Sequence, residues 1–362
     1  MIIESLTLRN FRNYEYATIN FDRGLNIITG KNAQGKTNLL ESLIYLSLTR
    51  SHRINDDKKL IKENEQFSDI KCNFIDGENK KNIEAIIHSK GKTLVVHKQP
   101  VKKSSEFIGL LNVILFSPDD LTIFNEAPKE RRKILNQEIT KISSTYLYAL
   151  NHYQNLLKER NLLLKQYQFD HKLLDTFDEQ MSKEEVIIIS MRKEFIEYIN
   201  SLITSYYQTL SDDMNVVTLQ YQSCLDETIT YENILKKHLE YRNKDIENHV
   251  TTFGIHREDM LFEMDGKNLI QIASQGQKRM CVLSFKMALL KYVENKTNKK
   301  PVLLLDDVLS ELDQSRQRKL MEMVGNQYQC IITTTDIPQF LNRRNMKIFY
   351  VEKGMIKEGG NV

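Results

Sequence analysis

Apolar and polar residues alternate in several short segments of the first hundred positions, and this period of two predicts β-strands. Residues 24–29 form a more apolar strand that leads directly into a glycine-rich loop. Beyond that loop, apolar residues recur at helical spacing over residues 38–46, which predicts a helix. The other predicted strands of this region cover residues 2–8, 69–75, 82–88 and 93–98, with turn signals at Asp76-Gly77 and Lys90-Gly91.

The middle of the chain has a helical pattern instead. After Pro128, neither Pro nor Gly occurs before about residue 211, which favours long helices. Apolar or small residues recur in steps of four and three between residues 135 and 156, and a second stripe covers residues 177–202. With Phe169-Asp170-His171 as the turn, the two stripes predict an antiparallel helical hairpin. We expect its helices to pack on each other and on a core; an arm that binds a partner is the alternative.

From residue 249 onward, strand and helix patterns alternate again. The sequence predicts a helix over residues 280–295, a buried strand over 302–305, a helix after Asp313, a strand over 330–334 and a terminal hairpin around Lys353-Gly354. Together with the helical middle, this pattern predicts two parts. Residues 1–120 and 250–362 form one α/β domain, and residues 121–249 form a helical insert.

Composition narrows the class of protein without identifying it. Of the 362 residues, 41% are hydrophobic and 27% are charged, which excludes disordered and collagen-like chains. The net charge of +3 is too small to indicate nucleic-acid binding by itself. The longest apolar runs have about five residues, whereas a membrane span needs roughly 20, and the first residues do not resemble a signal peptide. Four scattered cysteines fit reduced thiols, so we expect a soluble cytoplasmic protein without a membrane partner.

The glycine-rich loop carries the first chemical motif. Gly30-Lys31-Asn32-Ala33-Gln34-Gly35-Lys36-Thr37 satisfies G-x-x-x-x-G-K-[ST] between a predicted strand and a predicted helix. In such a loop, backbone N–H groups and the helix N-terminus face phosphate oxygens. Lys36 would neutralise the β- and γ-phosphates, and the Thr37 hydroxyl would ligate Mg²⁺. A chance glycine turn is the alternative, and the flanking strand and helix argue against it.

The second motif is an apolar strand that ends in two carboxylates. Residues 301–305 precede Asp306 and Asp307, and their lack of alternation suits the middle of a parallel sheet. Carboxylates at the C-terminal end of such a strand lie where α/β sheets bind ligands. Asp306 would hold Mg²⁺ directly or through water, and Asp307 could orient or deprotonate the attacking water. Simple capping of the following helix is the alternative.

A third motif, Ser274-Gln275-Gly276, precedes an apolar helix. Its hydroxyl, glycine backbone and helix start could receive a γ-phosphate. Taken alone, the segment is equally typical of an ordinary capped helix. Its position about 30 residues before the acidic strand, with Ser310-Glu311-Leu312-Asp313 just after that strand, favours the phosphate interpretation.

These motifs together resemble the ATP-binding-cassette (ABC) ATPases, whose order is phosphate loop, signature, acidic strand and S-x-L-D loop. Thr333-Thr334-Thr335-Asp336 occupies the position of that superfamily's switch residue. Within the superfamily the chain resembles the RecF family of DNA repair proteins over nearly its whole length. The segments that carry this resemblance are residues 8–14, 26–41, 49–53, 116–121 and 304–313.

The resemblance implies an α/β fold: an ABC-type ATPase head with mixed β-sheets and an inserted helical-hairpin domain. It also implies a homodimer that sandwiches two ATP molecules with Mg²⁺. Each ATP would lie between residues 30–37 of one chain and Ser274, Gln275 and Gly276 of the other, with Lys36, Asp306 and Asp307 as catalytic residues and Thr37 and Asp306 at the metal. Asp307 is one methylene shorter than the glutamate of most cassette ATPases, so we expect slow hydrolysis.

The resemblance further implies duplex and gapped DNA as partners, with RecR and RecO as mediators that help load RecA. Backbone phosphates would be contacted without base readout. Candidate contacts are Arg50, His52 and Arg53 after the first helix, and the Lys129–Lys133 cluster, which comprises Lys129, Arg131, Arg132 and Lys133. A solvated helix face is the alternative for such charge clusters.

Two segments depart from the family pattern. The loop around Phe116-Ser117-Pro118 lacks the glutamine that many cassette ATPases place near Mg²⁺, so no metal role is assigned there. Residues 253–259 only approximate a G-P-H-R-D-D pattern, and a structural strand end is the alternative for them.

Other classes of protein remain to be distinguished. The ATPase subunit of a transporter would have a membrane partner and no response to DNA, and the long insert and the Asp306-Asp307 pair argue against it. A small-molecule kinase would need neither the signature nor the S-x-L-D loop. A non-catalytic, ATP-switched DNA clamp differs only in its turnover.

Overall fold

The structure, a computed structural model, describes residues 1–168, 170–325, 327–343 and 346–359. The strands in chain order are β1 (Ile2–Phe11), β2 (Tyr14–Asn20), β3 (Leu25–Thr29), β4 (Phe67–Asp76), β5 (Asn79–His88), β6 (Gly91–Val96), β7 (Gln99–Pro100), β8 (Val113–Phe116), β9 (Val217–Gln222), β10 (Asp259–Met264), β11 (Lys267–Asn268), β12 (Val302–Asp306), β13 (Cys330–Thr334), β14 (Met346–Glu352) and β15 (Met355–Glu358). The helices are α1 (Lys36–Leu48), α2 (Pro128–Thr140), α3 (Ser144–Leu164), α4 (His171–Ser211), α5 (Tyr231–Asn248), α6 (Leu269–Ile272), α7 (Gln275–Thr297) and α8 (Gln314–Val324).

The chain divides into two compact units. Unit 1 comprises Met1–Leu121, Tyr206–Asp213 and Val282–Val362, and unit 2 comprises Thr122–Ser205 and Met214–Cys281. This division begins where the predicted insert begins, but residues 250–281 fall in unit 2 rather than with the α/β domain. Strand pairing explains the difference, because β10 pairs with β9 over Met260–Tyr221 and neighbouring positions.

The first sheet of unit 1 is antiparallel and has the order β2-β1-β4-β5-β6-β7. Every second residue of β4 is buried, beginning with Ser68 and Ile70, as expected for a sheet with one face on a core. The buried face packs with residues of α1 such as Leu39 and Leu43 in one apolar cluster. The alternation of apolar and polar residues that predicted β4 therefore also indicates which face of the strand is buried.

The second sheet of unit 1 has the order β15-β14-β3-β13-β12-β8. Its central strands are parallel, and β12 and β13 are buried along their whole length. This matches the continuous apolar pattern from which a sheet covered on both faces is predicted. Because β3, β12 and β13 run in the same direction, the residues that follow them lie at one edge of the sheet.

Unit 2 contains the predicted helical hairpin. Its antiparallel direction is evident from hydrogen bonds that join Arg160 to Asp178, His152 to Glu184 and Tyr146 to Arg192, since one number falls as the other rises. The first stripe is not one helix, however, because Ser143 accepts a hydrogen bond from Tyr146 N–H and starts α3 anew after α2. Phe169, part of the predicted turn, lies outside the described residues.

The sequence pattern missed several elements, among them β2, β9 and α5. The first is half of a hairpin with β1 whose turn has a left-handed residue, Arg12 with φ of 53°, rather than a glycine. The other two follow the long helix α4; β9 does alternate apolar and polar residues, and Val217 and Leu219 are buried. Among the described residues, no helix is both long enough and apolar enough to cross a membrane. All four cysteines are free thiols.

Candidate functional site

The glycine-rich loop connects β3 to α1, as the motif requires. Gly35 forms the helix N-cap with a left-handed φ of 114°, and a Cβ at this position would collide with the Asn13 amide. A Cβ at Gly30 would collide with the backbone carbonyl of Val351. Both glycines are therefore required by the fold around the loop, quite apart from any phosphate.

Lys36 lies inside the mouth of this loop. Its Nζ donates to the carbonyl of Gly30 at 2.5 Å and to that of Lys31 at 3.0 Å. Burial lowers the pKa of Lys36, and the negative charges of Asp307 and Asp306 oppose that shift. The ammonium group is thus positioned at the loop in which the motif would hold phosphate.

The turn between β1 and β2 braces the loop from one side. Asn13 Nδ2 donates to the carbonyl of Gln34 at 2.8 Å, and the Tyr14 hydroxyl donates to the carbonyl of Gly35 at 3.0 Å. From the other side, Lys353 N–H donates to Gln34 Oε1 at 2.7 Å. These contacts give the opening segment, residues 8–14, a structural role beside the phosphate loop.

Asp306 ends β12 and faces the start of α1. Its Oδ1 accepts hydrogen bonds from the hydroxyls of Thr37 at 3.0 Å and Thr333 at 2.6 Å. Burial raises the pKa of Asp306, and the hydrogen bonds from Thr333 and Thr37 counteract the rise. A carboxylate beside a hydroxyl provides the hard oxygen ligands that Mg²⁺ prefers, so these residues fit the predicted metal position.

Asp307 follows with an unusual backbone. Its φ of 52° is left-handed, and its N–H donates to the Thr333 carbonyl at 3.1 Å and to the Thr333 hydroxyl at 3.0 Å. Its Oδ1 is buried, and no hydrogen-bond partner for that atom occurs among the described residues. A buried carboxylate oxygen without a partner, held in a strained conformation, fits a group that receives a hydrogen bond from bound water or substrate.

Thr333 connects the two carboxylates, and the sequence analysis gave it no individual role. Its hydroxyl donates to Asp306 and accepts from the backbone of Asp307. The residue is fully buried on β13, next to β12 in the parallel sheet. The available signal was a threonine near the end of the predicted strand 330–334.

The signature segment starts α7 in unit 2. Gln277 N–H donates to Ser274 Oγ at 3.3 Å, and Ser274 N–H donates to Gln277 Oε1 at 2.9 Å, so the two residues form a reciprocal capping box. Ser274, Gln275 and Gly276 are exposed. The ordinary helix-cap interpretation is therefore satisfied, while the serine hydroxyl remains on the surface as a possible donor.

Arg53 and Glu41 form a polar group behind the loop. Glu41 accepts two hydrogen bonds from Arg12, at 2.9 and 2.7 Å, and one from Ser51 at 2.5 Å. Burial alone would raise the pKa of Glu41, but these hydrogen bonds and the charges of Arg12 and Arg53 lower it. Arg53 is exposed and donates to Asn38 at 3.3 Å, and Arg50 is also exposed.

Three predicted DNA contacts lie in environments that do not favour phosphate binding. Burial lowers the pKa of His52 to about 4, so the side chain is neutral at pH 7 and offers no charge to a phosphate. Arg131 is buried, and its guanidinium binds Asp259 through two hydrogen bonds of 2.8 and 2.5 Å. Arg132 is partly buried and donates to the Glu258 carbonyl at 2.5 Å. These two arginines therefore stabilise unit 2, whereas Lys129 of the same cluster, Arg50 and Arg53 are exposed.

Residues 253–259 form the polar centre of unit 2. Glu258 is buried and accepts from Arg192 at 2.5 Å and from the N–H of Cys224 at 3.1 Å. Gly254 has a left-handed φ of 127°, and a Cβ there would collide with the Tyr153 hydroxyl and with Glu185. These contacts favour the structural interpretation of the segment.

Comparison with known proteins places this geometry in a family. Residues 2–357 match the family model of the RecF/RecN/SMC N-terminal domain. The chain is 38% identical to the DNA replication and repair protein RecF of Lachnoclostridium phytofermentans, over 99% of this chain and 100% of that one. The chain belongs to the RecF family. It is also 36% identical to RecF of Listeria innocua over 99% of this chain and 100% of that protein.

Comparison with solved structures supports the same family and fold. A structure described as the recombination mediator protein RecF with ATP in the RecFOR pathway has a TM-score of 0.92 and 30% identity, and covers 99% of this chain and 98% of its own. The Smc head domain of Pyrococcus furiosus, at 17% identity and a TM-score of 0.58, shares the fold; that match covers 100% of this chain and 96% of the other. The predicted α/β ATPase-head fold is thereby confirmed, and the chain is an SMC-like ABC ATPase by family.

Proposed function

We propose that this protein is a DNA-binding ATPase that dimerises with ATP on duplex DNA at single-strand gaps. The observation that carries the proposal is that the hydroxyls of Thr37 and Thr333 both donate to the Asp306 carboxylate, and that Thr37 directly follows Lys36 at the end of the phosphate loop. In this role it would promote RecA loading in recombinational repair and replication restart, with RecR and RecO as partner proteins. The RecFOR pathway assignment of the ATP-bound relative supports that part of the proposal.

The residues divide the chemistry as follows. Backbone N–H groups of residues 30–37 and the ammonium of Lys36 bind the phosphates of ATP. Thr37 and Asp306 would hold Mg²⁺, whose positive charge would stabilise the negative charge that develops on the phosphate oxygens. Asp307 orients the attacking water and accepts its proton through the carboxylate oxygen that has no partner among the described residues.

The ATP-bound dimer would be completed by Ser274 of the second copy. Its exposed hydroxyl and the N-terminus of the 23-residue helix α7 offer donors to a γ-phosphate. Loss of that phosphate removes contacts to both copies, so hydrolysis shifts the population towards monomers. The short side chain of Asp307 supports slow turnover, which DNA would stimulate.

Sedimentation of the wild type and Ser274→Arg, with and without ATP, Mg²⁺ and a gapped duplex, tests the proposal. We expect only the wild type with ATP to dimerise, and DNA to strengthen the dimer. Gln277→Ala is the matched control, because it removes the capping box but keeps the serine hydroxyl. If Gln277→Ala fails like Ser274→Arg, the serine acts only as a helix cap. If no protein changes mass, the composite site is wrong.

A non-catalytic ATP-switched clamp is the second candidate, because the aspartate at the water-activating position is shorter than glutamate. It predicts the same sedimentation result with no phosphate release. Measuring phosphate release from the DNA-bound dimer separates the two.

A further inference from the structure

One edge of the first sheet of unit 1 concentrates positive charge. Residues 88–103, which include β6 and β7, contain five lysines and neither Asp nor Glu. The whole chain has a net charge of only +3, so this segment is far more basic than its surroundings. It lies at the β7 end of the strand order, where one side of the sheet has no further strand among the described residues.

One lysine of this segment has an internal role. Lys92 pairs with Asp57 at 2.9 Å and also donates to the carbonyl of Thr49. The other four are exposed, and no ion pair to them occurs within the part of the chain that the structure describes. They are Lys90, Lys98, Lys102 and Lys103, and we call them the basic edge.

The strand pairing arranges the basic edge in a row. Val96 lies opposite Gln99 in the β6–β7 pair, so Lys98 occupies the turn between the strands. Val101 N–H continues the pairing by donating to the Leu94 carbonyl at 2.9 Å, which directs Lys102 and Lys103 back along β6. Lys90 lies at the other end of β6, so at 3.3 Å per residue the row is roughly 20–25 Å long.

We infer that the basic edge binds the phosphate backbone of duplex DNA. The inference rests on the proposed function and adds a contact surface separate from Arg50 and Arg53. Since each strand of duplex DNA has one phosphate per 3.4 Å of axis, the row corresponds to about seven base pairs. Lysine ammonium groups on flexible stems suit backbone phosphates, which position a protein without reading sequence.

Protection of the sheet edge does not explain the composition. Charged residues and proline at an edge strand prevent pairing with other chains, and Pro100 already lies on β7. Lysine is common in that role, but it acts from within the edge strand, whereas all four lysines of the basic edge lie outside β6 and β7. Residues 88–103 also lack Asp and Glu, as expected for a surface that binds a polyanion.

The test is a salt titration of DNA affinity. A variant with Lys→Gln at all four positions of the basic edge is compared with the wild type by fluorescence anisotropy of a labelled duplex, with ATP and Mg²⁺ present. The control variant carries Lys→Gln at four exposed lysines of other elements, and so changes the net charge equally. Those control positions are Lys158, Lys236, Lys267 and Lys357.

We expect the slope of log affinity against log salt concentration to fall by about two to four units in the edge variant, with at least about tenfold weaker binding near physiological salt. The control variant should keep the wild-type slope. Thermal unfolding midpoints of all three proteins verify that each is folded.

Three results are distinguishable: one would overturn the proposed function, and two would overturn the inference about the basic edge. No salt-dependent duplex affinity in the wild type means that the proposed function fails. Wild-type binding with an edge variant equal to the control variant overturns the inference alone. An edge variant that binds DNA normally but no longer binds purified RecR or RecO also overturns it, and assigns the edge to an acidic protein surface.

Discussion

The phosphate loop and the signature segment differ in how the folded chain supports them. The loop is held by Asn13, Tyr14 and Lys353 from separate elements, and its lysine is buried. The signature is exposed, and the hydrogen bonds described for Ser274 come from its own helix. In the proposed dimer, the chain therefore fixes its phosphate-loop half of the ATP site in advance and leaves the signature half exposed to the second copy.

The largest expected effect separates ATP hydrolysis from ATP-dependent dimerisation. Asp307→Asn keeps the size of the side chain but removes its basicity, so we expect ATP hydrolysis to fall by about a hundredfold or more. ATP-dependent dimerisation, which depends on the signature half, should remain. Phosphate release and sedimentation of the same sample measure the two. Unchanged hydrolysis would show that Asp307 does not activate water.

A smaller effect is expected at Thr333, which lies on the strand next to the two carboxylates. Thr333→Val preserves shape but removes the hydroxyl that bonds to Asp306, so kcat should fall about tenfold with nucleotide affinity nearly unchanged. Since that hydrogen bond lowers the pKa of Asp306, its loss raises the pKa, and the acidic limb of the kcat–pH profile should move to higher pH.

Two further variants control this experiment. Thr333→Ser retains a hydroxyl and should restore most activity, and Thr334→Val removes a neighbouring hydroxyl that bonds to the Asp336 carbonyl instead. If Thr334→Val has the same pH profile as Thr333→Val, the effect belongs to the strand and not to the carboxylate pair.

The smallest effect tests whether His52, which follows the first helix after the phosphate loop, is as buried as the structure shows. The folded pKa of His52 is about 4, below the ordinary 6.5, so the unfolded chain binds the proton first and stability falls as pH drops from 6.5 towards 4. Relative to His52→Gln, the wild type should lose about 1 kcal/mol of unfolding free energy between pH 7.5 and 5.5. Denaturant titrations at both pH values measure this; equal losses would mean that His52 is solvated.

The sequence predicted the arrangement of the phosphate loop and the acidic strand well, because each motif is local in the sequence. Residues 30–37 and 301–307 lie on continuous segments whose strand and helix patterns are strong, and the fold brings Thr37 to Asp306 as expected. Thr333 had no individual role, because its contact to Asp306 depends on which strands are neighbours. Strand order in a parallel sheet is not encoded in any single segment.

The exposure of the candidate DNA-binding side chains was predicted less well for the same reason. Arg131 looked like part of a solvent-facing cluster, yet its partner Asp259 lies 128 positions away in the sequence. His52 stands between two exposed arginines, and its own burial follows from packing that periodicity does not report. Charge in a sequence predicts a surface only when no distant residue neutralises it.

The pairing of β3 has a consequence for synthesis on the ribosome. The strand that enters the phosphate loop pairs with β13 and β14, which are translated about 300 residues later. Gln34 likewise receives its hydrogen bond from Lys353, 319 positions later in the sequence. A nascent chain that has not reached β13 and β14 therefore has the complete motif without the sheet that shapes it. We expect ATP affinity to develop only after translation of β14.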